Sequence, residues 1–288
     1  MLYVDQPVGT GFSVSYGGYA SSQSQVTDML MQFLRNFNVT HICGESYGGH
    51  YIPPLAVAYH PEGVSIGDGF TDPATQVLTK PSQAYHFGLI DEKTLAAANV
   101  EALKASAAAL GGDFVRAKRH RDAMEDIVEK ASDVNPYDVR KFGNYNDTDV
   151  VAFLLDPSTM EILRVKKTFG TDDGVKEALE GDVMRSYKQD VKKLVDRGIP
   201  VLLYQGQFDW KDGATSNEAW IRDILLQGDT SYLRAPRRIL GKSKRPYGWI
   251  KNISSFADVV ISSAGHLAPM DQPLALLDLI TRFVRGEL

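Results

Sequence analysis

Short, unbroken apolar runs alternate with amphipathic stretches along this chain. Five runs are rich in β-forming residues and predict strands at Leu2–Val4, Val39–Cys43, Val64–Ile66, Ile199–Tyr204 and Asp258–Ser262. Runs without polar alternation are typical of strands that are buried on both faces of a parallel sheet. Between the runs, as in the segment 25–37, apolar residues recur with a period of about 3.6 residues and predict helices. The pattern therefore indicates an α/β fold.

The middle of the chain has a different pattern, in which no sheet strand is recognisable. Two helical segments, Asp91–Leu110 and Phe114–Ala131, are joined by Gly111-Gly112 and predict an antiparallel helix pair. Strand and helix patterns resume near residue 190. We therefore predict a core formed by residues 1–80 and 191–288, with a helical insertion, or cap, at residues 81–190.

The residues around Ser46 carry the clearest chemical signal. A predicted strand runs directly into Gly44-Glu45-Ser46-Tyr47-Gly48-Gly49, where a glycine lies two residues from the serine on each side. A helix over Tyr47–Tyr59 is predicted to follow, bent or interrupted by Pro53 and Pro54. A strand, a sharp turn with serine at its apex and a helix form the nucleophile elbow of an α/β-hydrolase. We predict that fold, with a mostly parallel sheet and helices on both faces.

A serine nucleophile requires a base, and the base requires an acid that orients it. In α/β-hydrolases the order is serine, acid, histidine, and the last two follow late strands of the sheet. Asp209 is the first acid after the strand that ends at Tyr204, and His266 follows the last predicted strand. Asp212 is the rival acid. We predict Ser46, Asp209 and His266 as the catalytic residues.

Composition and charge exclude several other classes of function. The chain of 288 residues is 43% hydrophobic and carries a formal net charge of −5, which is not the charge of a nucleic-acid-binding protein. No uninterrupted apolar window is long enough to span a membrane. Cys43 is the only cysteine, and the His, Cys, Asp and Glu residues lack metal-ligand spacing, so we expect no metal or cofactor.

Two other features have no assigned chemistry. His50 either packs in the core or lines a pocket. A basic run between residues 234 and 251 predicts a solvated loop.

Four segments together resemble the serine carboxypeptidase family. They are Leu2–Ser13, Gly44–Pro53, Gly67–Pro73 and Ala264–Pro273, and residues 135–141 fit more weakly. The motif Gly-Asp-Gly at residues 67–69 is most similar to the vitellogenic-carboxypeptidase-like branch. The resemblance implies release of single residues from peptide C-termini by an acyl-enzyme mechanism at acidic pH.

The resemblance also implies further roles in substrate binding and catalysis. Tyr47 is expected to supply an oxyanion-hole N–H, because the residue after the nucleophile does so in this fold. Glu45 corresponds to the family glutamate that binds the terminal carboxylate of the substrate, which requires the two carboxyl groups to share a proton. Leu267 corresponds to a residue that lines the pocket of the leaving amino acid. The expected partners are peptide or protein C-termini, and a homodimer is left open.

The family's Asn-Gly-Gly-Pro-Gly segment does not occur in this sequence, and no signal peptide is recognisable. We therefore expect an N-terminally incomplete chain that lacks the first strands of the sheet. The family implies a lysosomal, vacuolar or secreted protein, in which the sequons at Asn146 and Asn252 are favoured for glycosylation over the one at Asn38. Two alternatives stay open. One is a catalytically impaired isoform, or pseudoenzyme, that acts as a binding protein, and the other is an acyltransferase or esterase on the same fold.

Overall fold

The computed structural model describes residues 1–143, 145, 147–225, 230–242 and 245–288, except for the side chains at positions 242 and 245. Its strands, in chain order, are β1 (His41–Glu45), β2 (Gly63–Gly67), β3 (Val134–Asn135), β4 (Asp138–Phe142), β5 (Val201–Gly206), β6 (Arg238–Lys242), β7 (Arg245–Ile253) and β8 (Phe256–Ile261).

Helices occupy most of the remaining chain. Over the described residues they are α1 (Gln23–Leu34), α2 (Gly48–Tyr59), α3 (Pro73–His86), α4 (Glu92–Leu110), α5 (Phe114–Ser132), α6 (Thr148–Leu155), α7 (Pro157–Leu163), α8 (Asp173–Ala178), α9 (Lys188–Asp196), α10 (Ala214–Leu225), α11 (Ser231–Arg234), α12 (Ala268–Asp271) and α13 (Pro273–Val284). None of these described helices combines the length and hydropathy that crossing a membrane requires.

The main sheet has the strand order β1-β2-β5-β8-β7-β6. The first four strands run parallel, and β7 and β6 complete the sheet as antiparallel strands. Glu45 at the end of β1 pairs with Gly67 at the end of β2, and Gly67 pairs with Tyr204 in β5. The carboxyl ends of these parallel strands therefore lie along one edge of the sheet.

Helices cover both faces of this sheet, as predicted. Leu203 of β5 packs in a core that includes residues of α1, α2, α9 and α10. Its neighbour Leu202 points to the opposite face, where it joins residues of α13 such as Leu279. A third core forms between α3, α4 and α5, and it contains Phe70 and Trp210 from the segments that follow β2 and β5. The proposed division of the chain at residues 81 and 190 stays a prediction.

Four of the five predicted strands are present with shifted ends, but the strand predicted at Leu2–Val4 is wrong. These residues have no strand structure, and their side chains are exposed, with Tyr3 at 86%. An apolar run becomes a strand only when a neighbouring backbone satisfies its hydrogen-bonding groups, and no described strand lies beside this one.

Two β-strand pairs were missed by the hydrophobic pattern. The basic run predicted as a solvated loop contains β6 and most of β7, and β7 pairs with β8 from Gly248 to Ile253. Lys251 of this run is buried, and its ammonium lies 4.1 Å from the centroid of the Tyr232 ring. A shorter antiparallel pair, β3 with β4, lies in the region where no strand was recognised. In both cases long-range pairing overrides a weak local pattern.

The helix after Ser46 continues past both of its prolines. Helix α2 is unbroken from Gly48 to Tyr59, although Pro53 and Pro54 each lack the N–H of an intrahelical hydrogen bond. Most of its residues are buried, so packing against the sheet compensates for the lost hydrogen bonds.

Candidate active site

Ser46 lies between the end of β1 and the start of α2. Its φ of 59° is in the left-handed region, which is uncommon for a residue with a side chain. Two backbone hydrogen bonds hold it there. The Ser46 N–H donates to the Gly67 carbonyl at 2.9 Å, and the Phe70 N–H donates to the Ser46 carbonyl at 2.9 Å. This strained turn presents the half-buried serine at the carboxyl edge of the sheet.

The glycines around Ser46 differ in how strictly the packing requires them. A Cβ atom on Gly44 would lie 2.8 Å from Cγ1 of Ile52, and one on Gly49 would lie 2.6 Å from the Phe70 carbonyl oxygen. A Cβ on Gly48 would meet Ile52 only at an ordinary 3.8 Å. The packing therefore requires glycine at positions 44 and 49, whereas position 48 has room for a Cβ atom.

Asp209 and His266 form a buried hydrogen-bonded pair. The distance from Asp209 Oδ2 to His266 Nδ1 is 2.9 Å, and both side chains are almost completely buried. Oδ1 of Asp209 accepts from the N–H groups of Lys211 at 2.6 Å and Asp212 at 3.2 Å, which fix the carboxylate. Burial lowers the pKa of His266, but the adjacent Asp209 carboxylate outweighs it and leaves this pKa raised.

The other ring nitrogen of His266 is available for chemistry. Nε2 is buried and has no hydrogen-bond partner among the described residues. With Nδ1 donating to Asp209, Nε2 carries the lone pair of the neutral ring and can accept a proton. Ser46 bonds through its N–H to Gly67, and the next residue, Asp68, has a carboxyl oxygen within 4.8 Å of an Asp209 carboxylate oxygen and a His266 ring nitrogen. Ser46 itself makes no hydrogen bond to His266 Nε2.

Asp212, the rival acid, belongs to a different group of charges. Its Oδ1 lies 3.7 Å from the ammonium of Lys80, which in turn binds Glu125 at 2.8 Å. Lys211 also binds Glu125, at 2.7 Å. This buried ionic cluster connects α3 and α5 to the loop after β5. Asp209, not Asp212, is therefore the acid that contacts His266.

Glu45 ends β1 directly before Ser46, and its carboxyl is partly buried. Burial raises the pKa of Glu45 to about 7, while His266 and the Tyr204 hydroxyl act in the opposite direction. The Tyr204 hydroxyl donates to Glu45 Oε2 at 3.4 Å. A carboxyl with this pKa is protonated in acid, where it can donate a hydrogen bond to another carboxylate.

Tyr47 is held by interactions that the sequence did not indicate. Its hydroxyl donates to Asp182 at 2.9 Å, and Asp182 also accepts from the Tyr187 hydroxyl at 2.6 Å. The Tyr47 ring stacks on His50 with centroids 4.3 Å apart. Burial lowers the pKa of His50 to about 4, and its Nδ1 contacts the Phe70 carbonyl, so His50 is a neutral packing residue. The backbone N–H of Tyr47 has no acceptor among the described residues.

A cleft of about 640 Å³ opens beside Tyr47. Its apolar wall includes Tyr47, Tyr51, Val175, Leu179 and Val183. Leu267 is half-buried next to His266, but it is not among the described residues that line this cleft.

Asp68 lies in the Gly-Asp-Gly motif at residues 67–69 but was not predicted as a site residue. Its carboxyl, the Asp209 carboxylate and a His266 nitrogen each offer one atom, and these atoms lie within 4.8 Å of one another. Among the described residues, this is the one group with the proximity of metal ligands. Asp68 Oδ1 already accepts from the Gly206 N–H at 2.7 Å, and Asp209 is bonded to His266. Each of the three residues therefore already has a hydrogen-bond partner within the protein.

Comparison with known proteins identifies the family. The serine carboxypeptidase family model matches residues 1–286. The chain belongs to the serine carboxypeptidase family. The resemblance predicted from the four sequence segments is thus confirmed.

Individual serine carboxypeptidases agree with this assignment. A probable serine carboxypeptidase CPVL of Dictyostelium discoideum is 32% identical over 332 residues, which cover 100% of this chain and 64% of that protein. The vitellogenic carboxypeptidase of Aedes aegypti is 31% identical, over 98% of this chain and 67% of its own. The chain thus spans about two thirds of the length of these curated relatives.

A solved structure confirms the predicted fold. The prohormone-processing carboxypeptidase Kex1 of Saccharomyces cerevisiae superimposes with a TM-score of 0.82 at 20% identity, over 98% of this chain and 73% of its own. The fold is therefore that of the α/β-hydrolase-type serine carboxypeptidases.

Proposed function

We propose that the chain is a serine-type carboxypeptidase that releases single amino acids from peptide C-termini through an acyl-enzyme. The observation that carries this proposal is the buried Asp209–His266 pair, whose free Nε2 lies at the sheet edge where Ser46 occupies a strained turn. Membership of the serine carboxypeptidase family supports it.

In the proposed reaction, Ser46 Oγ attacks the carbonyl carbon of the last peptide bond while His266 Nε2 takes its proton. Asp209 keeps the proton on Nδ1 and stabilises the imidazolium. The Tyr47 N–H, at the start of α2, donates to the oxyanion, and the positive end of the helix dipole adds to its stabilisation. His266 then protonates the departing amino acid, and water hydrolyses the acyl-enzyme with His266 again as base.

Recognition of the substrate's free carboxylate is assigned to Glu45. Below pH 7 its carboxyl holds a proton, which it can share with that carboxylate at little electrostatic cost. This favours acidic conditions. Leu267, next to His266, is proposed to line the pocket of the leaving residue with an apolar side chain.

We propose the cellular location from membership of the family. A lysosomal, vacuolar or secreted location suits an acid peptidase whose partners are peptide C-termini. For glycosylation, we propose Asn38 in preference to Asn252 on the basis of burial. Asn38 is exposed, whereas Oδ1 of Asn252 is buried within β7. The sequon at Asn146 lies outside the described residues.

Hydrolysis of a blocked dipeptide, compared with its C-terminal amide, tests the proposal. We expect release of the amino acid from the free-acid substrate, strong preference over the amide, and loss of release in Ser46→Ala. Ser24→Ala is the matched control, because Ser24 is exposed on α1. Equal rates for acid and amide would point to an esterase or acyltransferase, and equal rates for wild type and Ser46→Ala would refute the proposal.

A further inference from the structure

Asp68 is a fully buried carboxyl that the proposed mechanism does not use. It follows β2 with a left-handed φ of 43°, and its N–H donates to the Tyr204 carbonyl at 2.7 Å. Its Oδ1 accepts from the Gly206 N–H at 2.7 Å. Its other oxygen, Oδ2, is buried and has no hydrogen-bond partner among the described residues. An unsatisfied buried oxygen of this kind requires an explanation.

The titratable groups around Asp68 come from each neighbouring strand end. Glu45 lies at the end of β1 and Tyr204 lies in β5. Asp209 lies in the loop after β5, and His266 lies in the loop after β8. Carboxyl oxygens of Asp68 and Asp209 approach within 4.8 Å. Two buried carboxylates at this separation strongly disfavour simultaneous ionisation.

The hydrogen bonds decide which of the two acids keeps a proton. The Asp209 carboxylate accepts two backbone N–H groups and the N–H of His266, all of which favour its charged form. Asp68 accepts a single backbone N–H. Burial and the Asp209 charge raise the pKa of Asp68 well above its usual range.

We propose that Asp68 is a positioning residue that stays protonated and donates from Oδ2 to the Asp209 carboxylate, holding it against His266. The proton satisfies the otherwise unpartnered oxygen. It also avoids a second negative charge beside His266. A second negative charge would stabilise the protonated form of His266 and keep the ring protonated in acid. His266 must be neutral there to accept the serine proton. The catalytic part of this inference rests on the proposed function, whereas the protonation state does not.

Asp68→Asn tests the protonation state without any assay of activity. Asparagine tolerates the left-handed backbone and mimics a neutral carboxyl, with Nδ2 in place of the protonated Oδ2. A carboxyl whose pKa is higher in the folded than in the unfolded protein stabilises the fold only at low pH. This stabilisation is lost as pH rises through the folded-state pKa. The stability of wild type relative to Asp68→Asn should therefore fall above about pH 4, by up to about tenfold in the unfolding equilibrium constant per pH unit. Parallel curves from pH 4 to 8 would overturn the proposal.

The pH profile of kcat/KM tests the positioning role. Asp68→Gly tolerates the left-handed backbone but removes the donor, so its kcat/KM should fall by about tenfold or more. Asp68→Asn should restore kcat/KM to within about fivefold of wild type in acid, because its amide replaces the donated hydrogen bond. Equal kcat/KM in wild type and Asp68→Gly would contradict the positioning role. Asp258→Asn is the control. Asp258 lies in β8 and binds the Tyr232 hydroxyl, and burial raises its pKa to about 6. It should alter the pH dependence of unfolding but not that of kcat/KM. A loss above about a hundredfold in Asp68→Asn at all pH values, with the fold intact, would show that an ionised Asp68 is needed and would overturn the proposal. If wild type itself releases no amino acid, the proposed function fails and the unfolding experiment still decides the protonation state.

Discussion

The substitution Asp209→Asn probes the contact on which the proposed base depends. In the wild type, Asp209 Oδ2 lies 2.9 Å from His266 Nδ1 and compels that nitrogen to carry the proton. The backbone N–H groups of Lys211 and Asp212 both point at the same carboxylate. In the variant, the amide oxygen is expected to remain with these two donors, so the amide NH₂ faces His266. Nδ1 must then accept, and the ring proton moves to Nε2.

This change of tautomer removes the base without removing a side chain. Nε2 can no longer accept the Ser46 proton, so kcat for a blocked dipeptide should fall by about 10⁴-fold, the loss seen for the same substitution in a serine-protease triad. The free energy of unfolding should fall far less, because one charge-assisted hydrogen bond contributes about 1.5–3 kcal/mol. The assay is steady-state release of the amino acid, together with urea unfolding of the same preparation.

Asp212→Asn is the matched control, since Asp212 is equally buried in the same loop but faces Lys80. We expect kcat of Asp212→Asn to fall by less than about 2.5-fold, compared with about 10⁴-fold for Asp209→Asn. Equal losses in the two variants, or near-wild-type kcat in Asp209→Asn, would refute the assignment of the acid.

Three further substitutions test separate parts of the site. In the wild type, kcat/KM should fall above the Glu45 pKa of about 7, because an ionised Glu45 repels the substrate carboxylate. Glu45→Gln should flatten this fall, and an unchanged profile from pH 5 to 9 would contradict the role of Glu45. Gly206→Ala would place Cβ 1.9 Å from the Gly265 carbonyl oxygen, and thermal unfolding should show a loss of about 2 kcal/mol or more. Lys80→Met leaves the charge of buried Glu125 with fewer partners and should cost about 3–5 kcal/mol in urea unfolding. An unchanged unfolding midpoint in either variant would contradict the corresponding packing argument.

The parts of this structure that were predictable from the sequence have local signals. Ser46 lies in a six-residue motif whose turn, between β1 and α2, has a characteristic geometry. Asp209 and His266 were located because each follows a strong apolar strand, and the carboxyl ends of parallel strands meet at one edge. The contact between these two residues joins positions 57 apart, and the order of the strands was sufficient to predict it.

The parts that were missed depend on partners distant in the sequence. Asp182 binds the Tyr47 hydroxyl across 135 residues, and nothing in its own neighbourhood marks it. In the sequence, Asp68 looks like any exposed aspartate, and only the folded chain buries it beside Asp209. The error at Leu2–Val4 has the converse cause, since its apolar pattern suits a strand but no described strand pairs with it.

Labelling with a serine-reactive fluorophosphonate, followed by mass mapping of the modified peptide, tests the central claim most directly. The claim is that Ser46 is a nucleophile activated by His266 and Asp209. The account predicts one adduct, located on Ser46. It should be absent from Ser46→Ala and strongly slowed in Asp209→Asn, whereas Ser24→Ala should be labelled like the wild type. Equal labelling of wild type and Ser46→Ala, or no labelling of the folded wild type, would contradict it.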